Sequence, residues 1–278
     1  MNIGIRLHDT APGTFEERIK RVHEDGFGCG HLALYKMLNE YPCDDSALTP
    51  GYARYIKRVF DKNDVDIAVL GCYKNLANPD KAELKKIQHS YMAHLRFASL
   101  MGAGVVGTET GCPNVEYKFT PENRTDKALG IFLEGLAPVV EYAEKVGVIL
   151  AIEPVAKHIV WCPKAARRVL DEINSPNLQI IFDPVNLLDK DNYKNQKDIC
   201  KEAIELLGDD IAMLHIKDYM PTEGDLKSMA CGLGMMDYTD IVKFAKERKP
   251  FVHATLEDTK PDNAVAAMNH LRKLYDEA

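Results

Sequence analysis

The chain has 278 residues, 46% of them hydrophobic and 28% charged, a composition that supports one large core and excludes a disordered or fibrous chain. Its formal net charge of -7 at pH 7 argues against a surface that neutralises nucleic-acid phosphates or sits on an acidic membrane. Small-molecule partners are therefore expected, with no nucleic acid and no membrane. The seven cysteines form no C-x-x-C pair and read as reduced thiols. No apolar run approaches the roughly 18 residues that span a bilayer, so the expectation is a cytoplasmic protein.

In chain order, eight short β-branched or apolar runs read as strands: NIGIRL, GHLAL, VDIAVLG, GVVGTE, GVILAIEP, LQIIFD, IAMLHIKD and PFVHATLED. Between them, segments with helical periodicity cover Phe15 to Asp25, Tyr52 to Lys62, Lys81 to Met101, Asp126 to Val146 and Ile199 to Leu207. Thr49-Pro50, Thr120-Pro121 and Lys260-Pro261 read as helix starts. Alternation of strand and helix implies parallel pairing, because parallel neighbours need a crossover. Eight such units predict an α/β chain forming a single (β/α)8 TIM barrel over residues 1–278, close to the usual size of about 250 residues. The run Gly102, Gly104, Gly107 matches a dinucleotide fingerprint only nominally: a helix precedes it and a strand follows, the reverse of what that motif requires.

In such a barrel the C-terminal strand ends build the active site. The late strands end in Glu109, Glu153, Asp183, His215 and Glu257, each about one βα unit from the next. Singly, each acid reads as an N-cap for the following helix. Together, carboxylates crowded at one barrel mouth repel by about 4 kcal/mol per pair at 4 Å and an effective dielectric near 20. A divalent cation held by Glu153, Asp183, His215 and Glu257 resolves that repulsion. Three oxygens and one nitrogen suit Mn²⁺, Mg²⁺, Co²⁺ or Fe²⁺ at least as well as Zn²⁺.

These residues carry a likeness to a family. In IEPV, FDPVN, HIKD, the loop CGLGMMDY and the terminal Glu257, the chain resembles the xylose-isomerase-like barrels of sugar and sugar phosphate isomerases and epimerases over nearly its whole length. The resemblance implies one divalent metal ion on Glu153, Asp183, His215 and Glu257. It also implies that Glu153 and Glu257 transfer protons through a metal-stabilised enediolate of a small carbohydrate. Two carboxylates on opposite faces would epimerise; one face alone would isomerise.

Four further residues are candidate substrate contacts: Glu109, His158, Asn186 and Lys217, the last with the alternative of a salt bridge beneath the site. Relatives that epimerise ketohexoses commonly carry a His at the position of Asn186, so this chain departs there. The CGLGMMDY loop reads either as a backbone phosphate site or as a plain turn, and Trp161 and Tyr73 either flank substrate or pack. The rival readings are a metal-dependent dehydratase of a keto-inositol or keto-sugar, an abasic-site DNA endonuclease, and a non-catalytic sugar-binding barrel. Association into a homo-oligomer is left open.

Overall fold

In the computed structural model, which describes residues 1–278, the strands are β1 (Asn2–Arg6), β2 (Cys29–Leu32), β3 (Asp66–Gly71), β4 (Val105–Glu109), β5 (Leu150–Glu153), β6 (Leu178–Phe182), β7 (Ile211–Ile216), β8 (Asp218–Pro221), β9 (Leu226–Met229) and β10 (His253–Leu256). Eight of them close into a parallel barrel in the order β1-β10-β7-β6-β5-β4-β3-β2. The helices are α1 (Phe15–Glu24), the single turn α2 (Leu34–Met37), α3 (Pro50–Lys62), α4 (Lys81–Met101), α5 (Asp126–Val146), α6 (Pro163–Ile173), α7 (Gln196–Leu207), α8 (Thr239–Arg248) and α9 (Ala264–Glu277). No helix is long and apolar enough to cross a membrane.

The predicted barrel is the observed one, and its helix signals hold where they rest on caps. Thr49 accepts from the Tyr52 N–H above Pro50, and Gly102 ends α4 at φ 73°, which uses a glycine's access to the left-handed region. Thr120-Pro121 opens only a short 3-10 turn, and Thr125 caps α5 instead. Lys260-Pro261 starts no helix: Asn263 accepts from the Lys260 N–H at 2.8 Å, and α9 begins at Ala264. The hairpin β8–β9 stands outside the barrel; it starts at the last residue of HIKD, and its two strands of four residues each are too short for a period to be read.

A large apolar cluster fills the space between barrel and helices, while a small one of Cys29, Ala68, Val69, Val105, Ala151, Ile181 and Met213 belongs to the strands alone. Side chains on a strand alternate between its faces, so the residue two places beyond an inward apolar one also faces inward. That step leads from Cys29 to His31, from Ala151 to Glu153, from Ile181 to Asp183 and from Met213 to His215. The apolar plug thus supports a polar layer at the C-terminal mouth.

Candidate functional site

Every barrel strand supplies one member of this layer: Arg6, His31, Tyr73, Glu109, Glu153, Asp183, His215 and Glu257. A cavity of about 240 Å³ opens above it, lined by Arg6, His31, Glu109, Glu153, Asn186 and Glu257 among others. Asp183 and His215 lie beneath, both fully buried.

Each carboxylate has one oxygen committed to the protein. Glu153 Oε1 accepts from Asn186 Nδ2 at 2.6 Å, and Asp183 Oδ1 accepts from the N–H groups of Val185 at 2.9 Å and Asn186 at 3.2 Å. Glu257 Oε2 meets Lys217 Nζ at 3.1 Å and the Arg6 guanidinium at 3.5 Å. The other oxygens are freer. Glu153 Oε2 and Glu257 Oε1 face His215 Nδ1 at 3.1 and 3.4 Å. Asp183 Oδ2 is buried with no aligned hydrogen bond, although the Lys217 ammonium stands 2.8 Å away. Glu153, Asp183 and His215 offer donor atoms within 4.8 Å of one another, as do His31, His215 and Glu257. One hard oxygen from each acid and one imidazole nitrogen make a donor set that fits a divalent cation.

The electrostatics follow from that crowding. Burial raises the Asp183 carboxyl to about 6, with Lys217 pulling down and Glu153 and Glu257 pushing up. Burial opposes charge on His215, yet Glu257 and Glu153 outweigh it and lift the imidazole to about 9. Burial would also raise Glu257, but His215, Lys217 and Arg6 hold it well below the carboxylate range. Glu109 sits on the cavity wall in register with Glu153. Burial and then Glu153 push it up to about 7, and it accepts from the Tyr117 hydroxyl at 3.2 Å.

Of the substrate contacts expected from sequence, Glu109, Asn186 and Lys217 line the cavity. Asn186 is tied to Glu153, and the Lys217 ammonium is held between Asp183 and Glu257, the salt-bridge alternative. His158 does not line the cavity; it stands behind Glu109 at 3.8 Å, edge-on to Tyr117. Trp161 does not flank the cavity: it stacks under the Arg124 guanidinium, 4.6 Å from its ring. Tyr73 does line it, bonding His31 Nε2 at 3.1 Å.

The CGLGMMDY loop presents no open phosphate cradle. The Gly232 and Met236 N–H groups donate to the Asp218 carboxylate at 3.1 and 2.8 Å, and the Met235 N–H donates to Tyr219 O. An arriving anion would meet a carboxylate already in place. Sequence reading missed Arg6, His8, His31, Lys36 and Asp258 on the cavity wall; the first two strands end in Arg6 and near His31, at the positions that the later strands give to their acids.

A family model described as xylose isomerase-like TIM barrel matches residues 19–274. No curated protein matches the chain. Among solved structures, the chain is similar to 3-keto-D-glucoside 4-epimerase, YcjR, from E. coli, at 15% identity and TM-score 0.76, covering 98% of this chain and 99% of that one. It is similar to IOLI protein with a bound zinc atom at 16% identity and TM-score 0.73, covering 100% and 97%. It is also similar to the probable 3-DHS dehydratase AsbF from Bacillus anthracis at 13% identity and TM-score 0.73, covering 99% and 98%.

Proposed function

The chain belongs to the xylose isomerase-like TIM barrel family, and from that premise we propose that it is a divalent-metal-dependent isomerase or epimerase of a small sugar. The observation that carries this reading is the placement of Glu153 and Glu257. Both approach His215 Nδ1, each with one oxygen fixed by protein donors and each lining the same cavity. Two fixed carboxylates facing one small polar cavity suit proton removal and return at a carbon between them.

Glu153, Asp183, His215 and Glu257 would hold the cation, which supplies Lewis acidity that makes a C–H beside a ketone removable. The zinc named for the IOLI structure, a chain of the same fold, supports a divalent metal here. Asn186 holds the Glu153 carboxylate by its amide, which fixes the face from which that group meets substrate. Glu257 lies beside Lys217 and Arg6, so it meets substrate as a carboxylate. The closed CGLGMMDY loop favours a neutral sugar over its phosphate.

Water loss is the second reading, favoured by Glu109. A departing hydroxyl needs a proton donor, and a carboxyl pushed up to about 7 on the cavity wall is such a group.

The test is solvent-deuterium exchange into a panel of ketoses and keto-inositols by the cation-loaded protein. Exchange should fall at least about 100-fold in Glu153→Gln and Glu257→Gln, the lower end for removing an acid–base group. Full exchange in both variants refutes the assignment. A growing enone absorbance in place of an equilibrium of sugars selects the dehydratase.

A further inference from the structure

A second cavity opens beside the first, between the loops that follow β2 and β3. Its volume is about 440 Å³, and Leu34, Tyr35, Asp44, Tyr73, Lys74 and His94 are among its walls. Tyr73 is common to both cavities. Gly71 keeps the shared wall thin, since a Cβ there would stand 2.7 Å from the Tyr73 ring and 2.9 Å from His31 Nε2.

The reaction cavity, at about 240 Å³, is smaller than the roughly 300–1,000 Å³ of most small-molecule sites, and the second cavity makes up the difference. Its walls combine aromatic faces with polar groups of both signs. Tyr35 is 55% exposed and lines this cavity with Tyr73, Asp44 and Lys74. His94 is buried and donates its Nδ1 proton to Ser90 O at 2.8 Å, which leaves Nε2 as an acceptor. Flat apolar faces take the C–H face of a sugar ring while neighbouring donors and acceptors take its hydroxyls. Two aspartates, Asp44 and Asp45, and one lysine, Lys74, line this cavity, a set that disfavours an anion and offers acceptors and a donor to hydroxyl groups.

We propose that this cavity is a subsite for a second unit of the substrate, a glycosyl residue linked to the sugar that reacts. The substrate class is then a glycoside or disaccharide bearing the reactive ketone, and Tyr73 separates its two rings. The inference rests on the sugar reading of the neighbouring cavity.

The probes are free D-fructose and its glucosyl disaccharides maltulose and isomaltulose, with the full chain loaded with Mg²⁺. Saturation-transfer NMR reads binding without turnover. Both rings of the disaccharides should receive saturation, and Tyr35→Ala and Lys74→Ala should silence the glucosyl ring while leaving free D-fructose unaffected. In deuterium exchange, kcat/KM for the disaccharides should exceed that for D-fructose about tenfold, equivalent to one good polar contact, and fall to parity in the variants. Saturation of the fructose ring alone, or equal losses for free and glucosylated sugar in the variants, overturns the subsite and spares the sugar reading. No saturation of any sugar overturns both.

Discussion

His31 on β2, which lines the cavity, and His215 on β7, which lies beneath it, stack face to face with ring centroids 5.2 Å apart and planes within 8°. Two stacked, buried imidazoles are not both imidazolium, because burial and like charge each disfavour the second positive ring. Burial and then His215 hold His31 well below its ordinary range, while the acids raise His215. His31 is therefore the neutral member of the pair.

That pairing leaves two overlapping candidate metal triplets sharing His215, one through Glu153 and Asp183 and one through His31 and Glu257. We expect about one divalent ion per chain by elemental mass spectrometry. Asp183→Ala should lose it. His31→Ala should retain it with affinity lowered about 10-fold, at the mild end of effects from groups that orient ligands. The reverse ranking would move the ion to the His31 side of the cavity.

The metal-free protein should lose stability as pH rises above about 7. Asp183 is raised from the ordinary 3.8 to about 6, Glu109 from 4.5 to about 7, and His215 from 6.5 to about 9. Each binds its proton more tightly folded than unfolded, so its contribution is present below the unfolded value and fades as pH passes the folded one. Glu257 is lowered, and its contribution is lost only on acidification below 4.5. Thermal unfolding in chelator should accordingly give a lower Tm at pH 9 than at pH 7, a window above the ordinary histidine value of 6.5, below which His8, His31, His94 and His158, all lowered by burial, contribute the opposite slope. A saturating divalent cation, which needs deprotonated ligands, should reverse that slope. An unchanged slope on adding cation would refute the ligand assignment.

Lys217 is the internal cation of the metal-free site, buried between Asp183 and Glu257. Removing one partner of a buried ion pair costs about 3–5 kcal/mol. Lys217→Met should therefore be destabilised by that order in chelator, measured by urea unfolding, and recover part of it with divalent cation. Equal destabilisation with and without cation would show that Lys217 and the ion do not share these carboxylates.

The turn after the outer hairpin should tolerate no side chain at Gly234. A Cβ there would stand 2.3 Å from Tyr219 O and 2.4 Å from Asp218 Oδ1, so backbone or carboxylate must move. Gly234→Ala should lower stability by about 1–3 kcal/mol, as overpacking does, with a matching fall in Tm. A Tm equal to that of the unchanged chain would show that the turn yields freely.

The barrel was legible because its strands alternate with helices at barrel spacing, and Glu153, Asp183, His215 and Glu257 were legible because each ends an apolar run. Arg6 and His31 obey the same two-residue alternation, but basic and imidazole groups at early strand ends lack the like-charge crowding that made the acids conspicuous. Lys217 was open between two readings because strand periodicity fixes the face of a side chain and not the partner its flexible stem selects. Trp161 was ambiguous for a related reason: a loop has no period to aim it, and its ring went to Arg124. The filling of the CGLGMMDY loop depends on Asp218 folding back from the hairpin, a long-range contact that no local pattern announces.

Asp218 also says something about how readily this barrel could change its diet. Its carboxylate sits where the N–H groups of Tyr219, Gly232 and Met236 converge, the kind of concavity that binds anions. An aspartate codon becomes a glycine codon by one nucleotide change, so a lineage carrying this chain stands one mutation from vacating that nest. In Asp218→Gly, a rise in Tm with inorganic phosphate, absent from the unmutated chain, would mark that step. A chain that carries its own counter-anion in this way keeps the nest closed to an outside anion while leaving its opening within evolutionary reach.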